Sequence, residues 1–274
     1  MRVRPLLAIP AVAGLLLAGC GSGDPQDTGT GTTSSGAEAG SSSAPAGEEL
    51  SGTLTVFAAA SLTDVFTALG DQFESENDGV TVVFNFAASS TLAAQVNQGA
   101  PADVFASASP TTMQTVVDAG GSAGEPTVLV QNTLQVAVPA GNPAGVTGLT
   151  DFTNPDLTIA LCAEQVPCGA AAVKVFDAAG LTPQPDTLES DVRATLTKVE
   201  LGEVDAALVY KTDVLAGGDA VEGIEFPESA EAVNDYPITI LTESPNPDAA
   251  ASWVEFVQSE AGLAALDDAG FQLP

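Results

Sequence analysis

Thr53-Leu54-Thr55-Val56-Phe57-Ala58-Ala59-Ala60-Ser61-Leu62-Thr63-Asp64-Val65-Phe66 sets the grammar of the whole chain. Thr53 to Ala58 is a short apolar run of the kind that forms a buried strand. From Leu62 the period changes: Leu62, Val65, Phe66, Leu69 and Phe73 recur at the i, i+3, i+4 spacing of an amphipathic helix. Ala59-Ala60-Ser61 lies at the junction, where a strand feeds a helix through a turn of small residues.

The same unit repeats outward from there. Val80 to Phe86 reads as a second strand, and Ala87-Ala88-Ser89-Ser90 opens a helix through Leu92 and Val96. Asp103 to Ser107 is a third strand and Thr111 to Ala119 a third helix. Leu134 to Pro139 reads as a crossing into a second lobe, where Leu157 to Cys162, Ala170 to Ala179 (stopped by Gly180), Val192 to Leu201 and Ala206 to Tyr210 continue the alternation. Pro237 to Leu241 reads as the return crossing, followed by helices over Asp248 to Gln258 and Ala261 to Ala269 that pack back on the first lobe. The expectation is an α/β fold of two lobes, 51–133 plus 237–274 and 134–236. Strand–helix alternation predicts parallel sheets covered on both faces.

Such a fold leaves a cleft at the carboxyl ends of its strands, where helix N-termini point. Five segments are expected there: Ala60-Ser61-Leu62-Thr63, Ala88-Ser89-Ser90-Thr91, Val166-Pro167-Cys168-Gly169, Asp191-Val192-Arg193 and Val209-Tyr210. Free N–H groups and partial positive charge at helix N-termini hold anions without a cationic side chain. Each residue also has a plainer reading. Serines such as Ser61 and Ser89 commonly cap their own helix. Cys168 is most simply half of a disulfide, Val192 an ordinary first-turn residue, and Tyr210 a core residue with a satisfied O–H. Asp103 reads as a structural cap or turn rather than a ligand.

Outside this core the composition is extreme. The chain has 36 acidic and 6 basic side chains and no histidine. A surface this acidic repels nucleic acid. The Debye length at physiological salt is about 8 Å, so a recessed site for a small dianion remains compatible with it. Arg2 and Arg4 precede the apolar run Leu6 to Leu17, which is too short to span a bilayer and has the form of an export signal over residues 1–19. Its end, Leu17-Ala18-Gly19-Cys20, resembles the lipobox of bacterial lipoproteins, implying lipid attachment at Cys20. Up to residue 50 the chain is rich in Gly, Ser, Thr, Ala, Pro and acidic residues and is expected to be a tether reaching roughly 30 Å. In an oxidising compartment Cys162 and Cys168, six positions apart, are expected to pair. With no histidine or further thiol outside the lipobox, that bridge is expected rather than a zinc site.

Several of these blocks, in order, resemble the molybdate-binding proteins of bacterial ABC importers. They are Thr55-Val56-Phe57-Ala58-Ala59-Ala60-Ser61-Leu62, Phe86-Ala87-Ala88-Ser89-Ser90-Thr91-Leu92, Gly99-Ala100-Pro101-Ala102-Asp103-Val104-Phe105, Val166-Pro167-Cys168-Gly169, Asp191-Val192-Arg193 and Leu208-Val209-Tyr210-Lys211-Thr212-Asp213. The resemblance covers the chain from about Gly52 onward. It implies the type II periplasmic-binding architecture with two crossing strands, and a tetrahedral oxyanion held between the lobes by neutral donors. Carried over by position, Ser61 and Ser89 would give hydroxyl and backbone N–H, Cys168 and Val192 backbone N–H, and Tyr210 its phenolic O–H. The family often has alanine where this chain has Cys168. Molybdate or tungstate, an ABC permease and its ATPase are the implied partners. The membrane is reached only through the lipid on Cys20, at the outer face of the cytoplasmic membrane. A monomer is expected, with no nucleic acid, no resident metal and no cofactor.

Other functions fit these residues less well. A hydrolase using Ser61 or Ser89 would lack its usual histidine base and would have to recruit one of three lysines. A ferric-ion receptor would need paired tyrosines or carboxylates, and Tyr210 and Tyr236 are far apart in sequence. A receptor for sulfate, phosphate or another small oxyanion is the nearest alternative.

Overall fold

In the computed structural model, which describes residues 49–274, Gly52–Ala59 forms strand β1 and Thr63–Glu76 helix α1, joined by a 3-10 turn over Ala60–Leu62. There follow β2 (Val80–Ala87), α2 (Ser89–Asn97), β3 (Val104–Ala106), α3 (Pro110–Asp118) and β4 (Thr127–Asn132). After the single residue Thr133 come β5 (Leu134–Pro139), β6 (Ile159–Cys162), α4 (Pro167–Ala179), β7 (Thr187–Glu189), α5 (Val192–Glu200), β8 (Ala206–Tyr210), α6 (Lys211–Ala216) and β9 (Val221–Ile224). The chain returns as β10 (Asn234–Ile240) and closes with α7 (Pro247–Val257) and α8 (Glu260–Asp268). The export signal, Cys20 and nearly all of the expected tether lie outside the described residues. No helix among the described residues is long and apolar enough to cross a membrane.

The strands form two five-stranded sheets, ordered β2-β1-β3-β10-β4 and β7-β6-β8-β5-β9. The two-lobed α/β architecture expected from the sequence is therefore present. Its sheets are mixed rather than parallel. β1 pairs in parallel with β2 and β3, and β6 with β7 and β8, but β10 runs antiparallel to β3 and β4, and β5 antiparallel to β8 and β9. The cause is the connection. β4 leaves the first sheet and β10 re-enters it, so the two run in opposite senses, and no crossover helix imposes parallel pairing on them. β10 also begins three residues before Pro237, so Asn234, Asp235 and Tyr236 already belong to the first sheet. The β10–β4 register shifts between Tyr236 and Pro237. Proline has no N–H for the ladder, and such irregularities re-aim side chains.

Each sheet carries its own core. On the first, Trp253 of α7 is wholly buried, edge-on to Phe66 at 5.6 Å and Phe73 at 5.5 Å between ring centres. Burying a side chain of that size contributes about 3 kcal/mol, which fixes the C-terminal helices on this lobe. On the second, Phe152 and Phe176 pack at 5.6 Å among the apolar residues of β5, β6 and β8. Asp103 has the structural role expected of it. Its buried carboxylate accepts from Thr55 N (2.7 Å), Ser244 Oγ (2.6 Å) and Asn246 N (2.7 Å), tying β1 to the start of α7.

Candidate functional site

Local sequence places five groups at one point. Ser61 lies in the turn between β1 and α1, Ser89 is the first residue of α2, Val192 the first of α5, and Tyr210 ends β8. Cys168 follows Pro167 at the start of α4. Because Pro167 has no N–H, Cys168 carries the first donor that α4 offers. Asp191 caps α5 by accepting from Ala194 N at 2.9 Å, which leaves the N–H of Val192 pointing outward from the helix end. All five residues are buried and line a single cavity of about 10 Å³ between the sheets, together with Ala60, Ala88, Ala108 and Pro167. That volume holds about one water, so a larger solute reaches the site only when the lobes part. No basic side chain is among the lining residues. A larger space of about 540 Å³ beside Thr133, Gln135, Lys211 and Glu225 is an open groove lined by none of these five residues.

Neither serine is a helix cap, which corrects the plainer reading. The position before α2 is Ala88, with no side-chain cap. Ser89 Oγ instead accepts from Ala108 N at 2.9 Å. Ser61 Oγ is 2.8 Å from the hydroxyl of Tyr236. Tyr210 OH accepts from Asn234 Nδ2 at 2.7 Å. These contacts come from β10 and from the loop after β3.

Cys162 and Cys168 are joined by a disulfide with Cα atoms 5.8 Å apart, tying the end of β6 to the first turn of α4. The next residue has to be glycine. A Cβ on Gly169 would lie 2.0 Å from the carbonyl oxygen of Ala163.

Three buried ionisable groups adjoin the cavity. Burial raises the pKa of Tyr210 well above the tyrosine range, aided by Tyr236 and Asp213 and opposed by the bond from Asn234. Burial also raises that of Tyr236, against the bond with Ser61. Both phenols stay protonated. Burial pushes Asp213 up to about 7, opposed by the charge of Arg193 and by the bond from Tyr210 N. One oxygen of Asp213 takes that N–H at 3.1 Å; the other has no partner. Across the cleft, Arg193 of α5 pairs with Asp64 of α1 at 3.0 Å.

Tyr210 and Tyr236, distant in sequence, meet edge-on at 6.1 Å. A ferric site needs phenolates, and burial opposes ionisation of both. Among the described residues no three His, Cys, Asp or Glu side chains gather where a metal ion could be held. Sequence reasoning missed Asn132, Asn234 and Asp213, and met Tyr236 only as an iron ligand. The available signal was the polar pair Asn132 and Asn234 at the two crossings between the lobes.

The model of the bacterial extracellular solute-binding protein family matches residues 54–272. The chain belongs to this family. The molybdate-binding protein ModA of Mycobacterium tuberculosis H37Rv is 40% identical over 269 residues, covering 98% of this chain and 97% of the relative. ModA of Escherichia coli K12 is 33% identical over 201 residues, 69% of this chain and 77% of the relative. Among solved structures, the periplasmic molybdate-binding protein of Azotobacter vinelandii superposes with a TM-score of 0.70 at 20% identity, covering 81% of this chain and 99% of that one. That likeness carries the two-lobed fold. The resemblance to molybdate-binding proteins read from the sequence is thus borne out across nearly the whole chain.

Proposed function

We propose that this solute-binding protein captures molybdate, and tungstate with it, between its lobes and delivers it to an ABC permease with a separate ATPase. The observation that carries the reading is the convergence of Ser61, Ser89, Cys168, Val192 and Tyr210 on one buried cavity without a basic side chain. The names of its ModA relatives supply the solute. A dianion without protons only accepts hydrogen bonds. A cavity of hydroxyls and helix-terminal N–H groups matches it and mismatches an anion that carries its own O–H. The ligand would be held by dipoles already aimed at it, so little reorganisation accompanies closure. Tungstate has nearly the same size and charge and shares the site. Residues 1–19 act as the export signal, Cys20 as the lipid anchor at the outer face of the cytoplasmic membrane, and the receptor works as a monomer with lobes 51–133 plus 237–274 and 134–236.

Catalysis is not part of this reading. Ser61 and Ser89 face Tyr236 and Ala108 N, neither of which is a base. A thermal-shift series with molybdate, tungstate, sulfate, phosphate and ferric citrate tests the proposal. A ligand that binds only the folded state raises the melting temperature with the logarithm of its concentration over its dissociation constant. Large shifts with molybdate and tungstate and none with sulfate are expected. A shift with sulfate or phosphate alone moves the substrate to another small oxyanion.

A further inference from the structure

A hydroxyl both donates and accepts, so a cavity lined by hydroxyls is donor-only when something fixes their protons. Ser89 Oγ is occupied on its acceptor side by Ala108 N at 2.9 Å. For Ser61 and Tyr210 that task falls to side chains of β10. Asn234 Nδ2 donates to Ala108 O at 2.8 Å and to Tyr210 OH at 2.7 Å. A carbonyl oxygen can only accept, so the amide orientation of Asn234 is fixed and Tyr210 is the acceptor in this pair. Asn132 is fixed in the same way. Its Oδ1 accepts from Thr133 N at 3.0 Å, so its Nδ2 faces Thr212 Oγ1 at 2.8 Å and Tyr236 OH at 3.5 Å. Tyr236 OH lies 2.8 Å from Ser61 Oγ, a pair in which either hydroxyl can donate; the Asn132 amide facing the Tyr236 oxygen favours Tyr236 as the donor. With Tyr236 as donor, the proton of Ser61 is free for the cavity. Asn132, Asn234 and Tyr236 are all buried, and Asn132 and Asn234 pair across the two crossing strands.

Resting on the oxyanion reading above, we propose that Tyr236 and Asn234 are positioning residues that commit Ser61 and Tyr210 to donate into the cavity, and so set selection for a fully deprotonated oxyanion over one bearing a proton. The residues that would touch the ligand come from loops and helix starts. The residues that fix their polarity come from β10, the strand by which the chain returns to the first sheet.

Calorimetric titration of the purified protein with sodium molybdate tests this in two cycles. Tyr236→Phe keeps the ring and leaves Asn132 bonded to Thr212, so it removes little besides the proton aimed at Ser61. It is expected to weaken molybdate binding about 5- to 10-fold, less than the full worth of a hydrogen bond to a charged acceptor. In a Ser61→Ala background the further loss is expected to fall below about 2-fold, because the two residues act as a unit. Asn234→Leu, paired with Tyr210→Phe, follows the same logic. If melting curves show that it does not fold, the Tyr236 cycle carries the test alone. The second readout is selectivity. Freed to accept, Ser61 in Tyr236→Phe tolerates hydrogen phosphate or hydrogen arsenate better, so molybdate preference over them narrows. Equal losses in both backgrounds with unchanged selectivity, while wild type binds molybdate, would overturn the assignment and leave the oxyanion reading standing. Wild type that ignores molybdate would overturn both.

Discussion

Replacing Ser89 with alanine separates two roles of one hydroxyl. Ser89 is buried, and its Oγ accepts from Ala108 N at 2.9 Å. If the hydroxyl also donates to the bound dianion, Ser89→Ala removes one hydrogen bond to a charged group, worth about 1.5–3 kcal/mol. That corresponds to a loss of affinity of about 10- to 150-fold. The orphaned N–H of Ala108 acts on a different quantity. It is unpaired in the free and the bound protein alike, so it cancels from the affinity and appears in stability, at about 1–3 kcal/mol. For a folded unit of this size each kcal/mol lowers the melting temperature by about 2–4 °C. Two assays on the same variant thus read two bonds: calorimetry with molybdate, and thermal unfolding without it. A lowered melting temperature with unchanged affinity would show that the hydroxyl serves Ala108 alone, and the donor set would lose Ser89.

Three further outcomes are expected. Asp213 has its folded pKa raised to about 7 from 3.8, so the folded state holds a proton that the unfolded state has released between those values. Its contribution to stability is therefore full below pH 4 and lost as pH rises through 7. Asp213→Asn removes this loss, so the variant's melting temperature relative to wild type climbs from pH 4 to pH 8; a constant difference would contradict the buried-acid account. The Arg193–Asp64 pair joins helices of different lobes with both side chains partly exposed, so Asp64→Asn is expected to weaken ligand binding by no more than about 5-fold, and by nothing measurable in 1 M salt. An effect that survives high salt would show that the pair acts other than by charge. Reducing the Cys162–Cys168 bridge releases a short loop worth about 2 kcal/mol in the chain-entropy model, and should lower the melting temperature by several degrees; no change on verified reduction would remove that stabilising role.

Helix α1 and strand β1 were legible because burial alone dictates their pattern, and so were α7 and α8, whose apolar stripe includes Trp253. β4, β7, β9 and α6 were not read. β4 is half exposed at its start, β7 is three residues long, β9 contains Gly223 beside Glu222, and α6 is six residues following a strand directly. None offers enough turns or alternations for a period to show. The antiparallel pairings of β10 with β3 and β4, and of β5 with β8 and β9, were hidden because strand direction depends on residues far apart in the chain. The five candidate ligand residues were found because each lies at a local junction with its own signature. Their supporting groups had no such signature. Tyr236 meets Ser61 across 175 positions, and Asn132 meets Tyr236 across 104. Only the folded crossing strands bring them together.

The central claim is that one dianion sits between the lobes on Ser61, Ser89, Cys168, Val192 and Tyr210. Crystals grown with molybdate, with diffraction recorded at the molybdenum absorption edge, locate the metal directly. A single anomalous peak is expected in the cavity bounded by those five residues, with oxyanion atoms at hydrogen-bond distance from the hydroxyls of Ser61, Ser89 and Tyr210 and the N–H groups of Cys168 and Val192. A peak elsewhere, such as the open groove beside Lys211, or a cavity with none at saturating molybdate, would contradict it.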